Sequence, residues 1–95
     1  MNFEWDERKR LVNLAKHHID FQDAKRLFDR PVIEKTDRRH GEERIFAVGL
    51  LDDIEIVVVY VIRGTRRRII SARRAHRDER QEYRNRVKRA DKRQN

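Results

Sequence analysis

Residues 54–62 form an almost unbroken apolar run, rich in valine and isoleucine, that limits the possible folds more than any other part of the sequence. β-Branched side chains favour strands, and a strand without alternating polar residues is typically covered on both faces. The run is far shorter than the ~20 residues with which a helix crosses a bilayer. It therefore predicts a central strand, Ile54–Arg63, inside a soluble protein.

The length of 95 residues is enough for one hydrophobic core and too short for two, so we predict a single domain over residues 1–95, with residues 90–95 frayed. Charged residues make up 44% of the chain, a composition typical of disorder, but the apolar run favours a packed core. Cysteine is absent, and the first residues have neither the basic nor the apolar part of a signal peptide. We therefore expect a cytoplasmic protein.

Two helices are predicted before the first long strand, and the short segment Asn2–Trp5 is predicted to be extended. Asp6 is a typical N-cap residue, and the apolar spacing after it indicates a helix over about residues 6–17. Asp20 can cap a second helix, which ends before Pro31 because proline disfavours helical backbone at the residue that precedes it. The predicted apolar face of the first helix consists of Leu11, Leu14, Ala15 and His18.

Strands are predicted to follow one another closely from residue 32 onward. They comprise residues 32–35, 43–51, 54–63 and 66–72, and a helical pattern begins at Arg73. Short connections favour antiparallel hairpins. The sequence therefore predicts an α+β protein with two N-terminal helices, an antiparallel sheet of three or four strands, and a C-terminal helix.

The basic residues are concentrated in the last third of the chain. Residues 1–62 contain 11 basic and 13 acidic side chains, whereas residues 63–95 contain 14 basic and 4 acidic ones. The net charge of +8 therefore comes from an arginine-rich C-terminal region. Guanidinium groups bind phosphate oxygens in pairs, so a polyanion or an acidic protein is the expected partner. A solvated basic surface is the alternative.

Three residues near the start of the C-terminal helix are predicted to lie close together. Arg73 is placed where the last strand passes into the helix, and Glu79 and Tyr83 are one helical turn apart. Together they would hold a phosphate and move a proton. The alternative is structural: a strand edge with solvated arginines and a helical Glu–Tyr pair. Strict alternation would place Arg66 and Arg68 on the face opposite to Arg73.

Motifs for cofactors and metals are missing from the sequence. It has no glycine-rich phosphate loop and no metalloprotease motif. His17 and His18 are adjacent, and adjacent residues point apart on a helix. We therefore predict no cofactor and no metal site.

A longer series of residues occurs in a characteristic order and spacing. It includes Phe3-x-Trp5-Asp6, Lys9, Asn13, Lys16-His17, Phe21, Ala24, Phe28, Arg44, Gly49, Arg68-Ile69-Ile70-Ser71-Ala72-Arg73, Ala75, Glu79 and Tyr83. With this series the chain resembles the BrnT-type ribonuclease toxins of bacterial type II toxin–antitoxin systems. That family often has glycine where this chain has His18, at a helix end where a positive φ is expected.

The resemblance implies a RelE-like microbial ribonuclease fold, cleavage of RNA and arrest of growth. It also implies a cognate BrnA-type antitoxin that neutralises the toxin and carries a ribbon-helix-helix part, so that the complex binds operator DNA. The isolated chain is expected to be monomeric, because its apolar central strand would be interior, and no membrane partner is expected.

Cleavage of RNA without a metal ion needs a base for the 2′-hydroxyl proton, a cation for the phosphorane and an acid for the leaving oxygen. His17 is the first candidate for acid or base, since imidazole titrates near ~6.5 and a helix C-terminus favours its protonated form. Glu79 is the second candidate, as a base. The rest of the predicted catalytic set is Arg73 and Tyr83, and the predicted RNA- and phosphate-binding residues are Lys16, Arg44, Arg66 and Arg68.

Two functions of other classes remain as alternatives. One is a nucleic-acid-binding module without catalysis, and the other is a protein-interaction domain with an acidic partner. Both would use the basic C-terminal region.

Overall fold

The computed structural model describes residues 2–39 and 41–94, and the side chains of residues 2–39 and 41–87. Over these residues the chain forms, in order, β1 (Asn2–Trp5), α1 (Glu7–His17), α2 (Phe21–Ala24), a 3₁₀ helix (Lys25–Asp29), β2 (Ile33–Asp37), β3 (Arg44–Leu51), β4 (Ile54–Arg63), β5 (Arg66–Arg74) and α3 (Arg77–Gln94). The predicted fraying of residues 90–95 lies outside the described side chains. None of the described helices is long and apolar enough to cross a membrane.

The strands form one sheet in the order β1-β5-β4-β3-β2, in which β1 runs parallel to β5 and the other neighbours are antiparallel. The α+β class is confirmed. The prediction of two N-terminal helices and an antiparallel sheet of three or four strands is wrong, because the sheet is mixed and has five strands. The second N-terminal helix is also only one α-helical turn that continues as the 3₁₀ helix. The pairing of β1 with β5 joins residues 64 positions apart, such as Glu4 and Arg68, so no local turn signal could reveal it.

Two apolar clusters lie on opposite faces of the sheet. The larger one includes Phe21, Ala24 and Leu27 from α2 and the 3₁₀ helix, all fully buried. Successive residues of β4 supply both clusters: Ile56, Val58 and Tyr60 to the larger one, and Val57 and Val59 to the smaller one, which also includes Ala75. The prediction of a central strand that is covered on both faces is therefore confirmed.

A β-bulge interrupts the pairing of β4 with β5. Tyr60 pairs with Ile69. The preceding residue of β4, Val59, pairs with Ser71, so that Ile70 is an extra residue in β5. A bulge of this kind shifts the inward and outward alternation of the strand by one position.

The bulge places three arginines of β5 on one face of the sheet. Arg66 and Arg68 precede it, and Arg68 lies opposite Val61. Arg73 follows it and lies opposite Val57, on the face of the smaller apolar cluster. The prediction that Arg73 faces away from Arg66 and Arg68 is therefore wrong, because it assumed a strand without a bulge.

The packed face of α1 also differs from the predicted one. Leu11 is 53% exposed and Ala15 is exposed, whereas the one buried residue among those described in α1 is the polar Asn13. His18 is not part of a helical face, since it ends α1 in the left-handed conformation with φ 61°. The polar contacts of Asn13 explain this orientation and are described below.

Gly49 of β3 lies directly beneath the 3₁₀ helix. A Cβ atom at this position would be 2.8 Å from Leu27 Cδ1 and 3.1 Å from Val32 Cγ1. Because Leu27 is fully buried and cannot move freely, we expect Gly49→Ala to lower the free energy of unfolding by about 1–3 kcal/mol, measured by chemical denaturation. In a Leu27→Ala background the same substitution should lower the free energy of unfolding only slightly. An equal cost in both backgrounds would show that the clash is not the cause.

Candidate active site at the junction of α1 and β5

Asn13 attaches α1 to the edge of β5. β1 pairs with β5 only as far as Ile69. Beyond it, Asn13 Nδ2 donates to the carbonyl oxygen of Ala72 at 2.9 Å, and the Ala72 N–H donates to Asn13 Oδ1 at 3.1 Å. The side-chain amide thus takes the place of a strand partner, and it satisfies backbone groups that would be costly to leave unpaired. As a result α1 lies beside the part of β5 that carries Arg73.

The end of α1 is fixed by two further contacts. Asn13 Nδ2 also donates to the carbonyl oxygen of Ile19 at 3.0 Å. The N–H of His18 donates to the carbonyl oxygen of Leu14 at 2.9 Å, and His18 has φ 61° and ψ 27°. The expected positive φ at this position is therefore confirmed. The tight turn leaves His17 as the last residue of the helix, half-buried against the sheet edge.

The surroundings of His17 favour its neutral form. Burial lowers the pKa of the imidazole, and the positive charges of Lys16, Arg73 and His18 lower this pKa further. This direction is opposite to the one expected from the helix C-terminus alone. A neutral imidazole can accept a proton, so His17 has the state required of a general base. Arg73 follows Ala72, the residue of β5 that Asn13 binds, so it belongs to the same junction as His17.

Arg73 is held by Glu79 through two parallel hydrogen bonds. The guanidinium donates to Glu79 Oε1 at 2.8 Å and to Oε2 at 3.0 Å, and the two side chains are only 18% and 23% exposed. The N–H of His76 also donates to Glu79 Oε1 at 2.7 Å, which ties the carboxylate to the start of α3.

The same contacts keep Glu79 ionised. Hydrogen bonds from Arg73 and from the His76 N–H outweigh burial and lower the pKa of Glu79. A carboxylate with a lowered pKa and both oxygens on a guanidinium is a weak base. The arrangement therefore suits Glu79 for orienting Arg73.

A cleft of about 370 Å³ lies between α1 and the bulge of β5. Its lining combines the basic side chains of Arg8, Lys9, Lys16 and His17 with the apolar side chains of Val12 and Ile70. His17 and Lys16 thus border a surface that is cationic and partly apolar. Among the described residues, no group of three or more His, Asp or Glu side chains is placed to hold a metal ion.

Comparison with known proteins identifies the family. A family model described as the ribonuclease toxin, BrnT, of type II toxin–antitoxin system matches residues 5–79. The chain belongs to the BrnT family of ribonuclease toxins. The matched segment contains Asn13, His17, Arg73 and Glu79, whereas Tyr83 lies beyond it. A comparison with curated proteins found no match.

The fold is also similar to that of a solved member of the family. The crystal structure of the Brucella abortus ribonuclease toxin BrnT, at 1.1 Å resolution, aligns with a TM-score of 0.62 and 31% sequence identity. The alignment covers 81% of this chain and 99% of the Brucella chain. The resemblance to BrnT-type toxins is thus confirmed, and membership of a type II system implies an antitoxin as partner.

The other predicted phosphate-binding residues of this BrnT-family toxin lie on the same sheet face but further from His17. Arg66 and Arg73 are separated by roughly 20 Å along β5, so they cannot bind the same phosphate. Arg68 donates to Glu4 of β1 at 2.8 Å. Arg44 of β3 is opposite Asp37, and its Nε atom is buried without a hydrogen-bond partner among the described residues.

Tyr83 borders a cavity that Glu79 also lines, but its side chain is almost fully buried. It is 8% exposed, and burial is the main cause of its raised pKa, followed by the negative charge of Glu55. The structure therefore joins Arg73 and Glu79 directly, whereas Tyr83 takes part in the packing of α3 on the sheet.

Arg8 and Lys9 are not among the residues predicted for the site. Both lie on α1 and line the cleft beside His17. A signal was present, since Lys9 and Lys16 are seven residues apart and therefore share one face of a helix. The spacing alone could not assign this face to the site, because the sequence does not show which side of α1 contacts β5.

Proposed function

We propose that this BrnT-family toxin is a metal-independent endoribonuclease whose active site lies at the junction of α1 and β5. One observation carries the proposal: Asn13 binds α1, which ends at His17, to Ala72, the residue before Arg73. His17 has a lowered pKa, and Glu79 holds the Arg73 guanidinium in place. A proton acceptor and an oriented cation thus belong to the same junction of α1 and β5, and His17 also lines the cationic cleft. A 2′-hydroxyl needs both of these groups to attack its neighbouring phosphate.

In the proposed reaction the imidazole of His17 takes the proton of the 2′-hydroxyl, and the 2′-oxygen attacks the adjacent phosphorus. The Arg73 guanidinium stabilises the charge of the phosphorane through N–H groups that do not bind Glu79. Lys16 binds the same phosphate. The P–O5′ bond then breaks, the 5′-oxygen takes a proton from solvent water, and His17 returns its proton to solvent. The products are a 2′,3′-cyclic phosphate and a 5′-hydroxyl.

The remaining basic residues on this sheet face are proposed to bind the RNA backbone. Arg44, Arg66 and Arg68 are too far from His17 to contact the cleaved phosphate. Together with Arg73, the arginines of β5 on this face extend over roughly 20 Å from Arg66 to Arg73, a length that suits a stretch of several phosphates. Tyr83 is proposed to support the site through packing.

The partner proposed for the toxin is a BrnA-type antitoxin with a ribbon-helix-helix part, and their complex is proposed to bind operator DNA. The support for this is membership of the BrnT family. The isolated toxin is proposed to be a monomer that arrests growth in the cytoplasm, where its substrate is found.

The test is the pH dependence of RNA cleavage in the presence of EDTA. If neutral His17 is the base, the rate must rise with pH through the pKa of His17. Because burial and neighbouring cations lower that pKa, the midpoint of the acidic limb should lie below about 6.5. Binding of RNA without any cleavage would instead indicate a nucleic-acid-binding module.

Lys16→Gln should move this midpoint to higher pH, since Lys16 lowers the pKa of His17 more than any other neighbouring charge does. The rate will also fall, but the position of the limb is the decisive readout. Lys25→Gln is the matched control, because Lys25 lies over the ring of Trp5 and is not among the charges that act on His17. A midpoint that stays in place in Lys16→Gln would exclude His17 as the titrating base.

A further inference from the structure

The outer face of α1 carries apolar side chains that the fold does not use. Leu11 is 53% exposed and Val12 is 61% exposed, and Ala15 next to them is also exposed. These three residues form one stripe along the helix, because their spacing is close to one helical turn. We call them the α1 stripe. The hydrogen bonds of Asn13 orient α1 so that the stripe stays exposed, with Val12 at the edge of the cleft beside β5.

Three cations surround the centre of this stripe. Arg8, Lys9 and Lys16 are four residues before, three residues before and four residues after Val12, and therefore lie on the same side of α1. None of them forms an ion pair within the described residues. Surface arginines elsewhere, such as Arg26 and Arg84, contact a carboxylate of another element at 3.1 Å or less.

We infer that the α1 stripe is the docking site of the antitoxin, and that the docked segment is an acidic amphipathic helix. The exposed aliphatic groups distinguish a protein from RNA as the occupant. Phosphates gain nothing from Leu11 or Ala15, whereas an apolar helix face would remove both side chains from water. The cations around Val12 form no ion pair within the described residues, so a partner helix with carboxylates beside its apolar face would match their charge.

Docking at this place would also block catalysis. Val12 and Lys16 belong both to the outer face of α1 and to the lining of the cleft in which His17 lies. A helix seated on the stripe therefore reaches the edge of the cleft and hinders the approach of RNA. This inhibitory consequence rests on the proposed active site, whereas the docking itself does not.

The experiment compares two variants of the full-length toxin by isothermal titration with the antitoxin that is co-expressed with it. Leu11→Glu introduces a negative charge into the stripe. We expect it to weaken antitoxin binding at least about tenfold, because the leucine that the complex would bury is lost and the new charge repels the acidic helix. Leu11 is not part of the cleft, so RNA cleavage by the free variant should be unchanged. Thermal melts check the fold.

Ile62→Glu is the matched control. Ile62 is 55% exposed on β4, as exposed as Leu11, but it lies on the sheet and not on α1. Its replacement should change antitoxin affinity by no more than about twofold. Arg8→Glu should weaken binding as well and make it less dependent on salt, since it removes one charge contact.

Each of the other outcomes would overturn the proposal. Unchanged antitoxin affinity in Leu11→Glu would exclude the stripe as the docking site. Loss of RNA affinity with intact antitoxin binding would assign the surface to RNA, and loss of a toxin homodimer would assign it to a second copy of this chain. Binding is measured without reference to cleavage, so a toxin that cleaves no RNA would refute the proposed function but leave this test valid.

Discussion

Arg73→Ala should lower the single-turnover rate of RNA cleavage at least about 100-fold, the usual loss when one oriented donor to a developing anion is removed. The guanidinium is oriented before substrate binds, because both oxygens of Glu79 hold it at 2.8 and 3.0 Å. It therefore needs little reorganisation to stabilise a phosphorane. The rate should be measured on one RNA with enzyme in excess.

The same substitution should also cost some stability. It removes two hydrogen bonds between charged groups that are less than a quarter exposed, and it leaves Glu79 with the His76 N–H. We expect a loss of about 1–2 kcal/mol, which for a domain of this size lowers the melting temperature by roughly 5–15 °C. Rates must therefore be compared well below the melting temperature of the variant. A variant that melts at the assay temperature would have to be assayed in the cold.

Two further variants separate the role of Arg73 from that of Glu79. Arg73→Lys keeps the charge but lacks the paired N–H groups of a guanidinium. This variant should therefore also fail to cleave RNA. Glu79→Gln breaks the same ion pair but leaves the guanidinium in place, so it should lose no more than about tenfold in rate. If Glu79→Gln were as inactive as Arg73→Ala, Glu79 would be the base and Arg73 its support.

His17→Ala should lower the rate by about 10²–10⁴-fold, the range expected for loss of a general base. Affinity for RNA should remain, because the arginines on the sheet face are unchanged. The neighbouring His18 provides the control: His18→Gly removes a histidine but suits the backbone φ of 61°. This control should cleave RNA at nearly the rate of the unmodified toxin. Full activity in His17→Ala would exclude an essential role for His17.

The parts of the fold that could be predicted depend on local patterns. β4 was predicted from its β-branched run. The hairpin between the predicted strands 43–51 and 54–63 is also present, and its two turn residues, Asp52 and Asp53, both have positive φ, as a type I′ turn requires. In each case the residues that carry the signal are neighbours in the chain.

The parts that could not be predicted depend on hydrogen bonds between distant segments. At the free edge of β5, Ala72 forms hydrogen bonds with Asn13 of α1, which is 59 positions away in the chain. These bonds decide which side of α1 is packed, so Leu11 and Ala15 stay exposed although their spacing predicted a buried face. The bulge at Ile70 likewise arises from the pairing of β5 with β4, and no residue type in β5 predicts it.

The candidate site combines both kinds of information. The spacing of Arg73 and Glu79 was sufficient to predict that they lie near each other. The approach of His17 was not predictable, because it requires α1 to lie along the edge of β5. The direction of the His17 pKa shift was also missed, since it arises from burial and from the charges of Lys16 and Arg73.

The most direct test asks whether His17 and Arg73 act together. Single-turnover cleavage of one RNA in EDTA should be measured for the unmodified toxin, His17→Ala, Arg73→Ala and the double variant. Residues that act on one step as a unit give losses that are far from additive. The double variant should therefore be only slightly slower than the slower single variant. A double variant that shows the full product of the two losses, or single variants that cleave at the unmodified rate, would contradict a shared active site at the junction of α1 and β5.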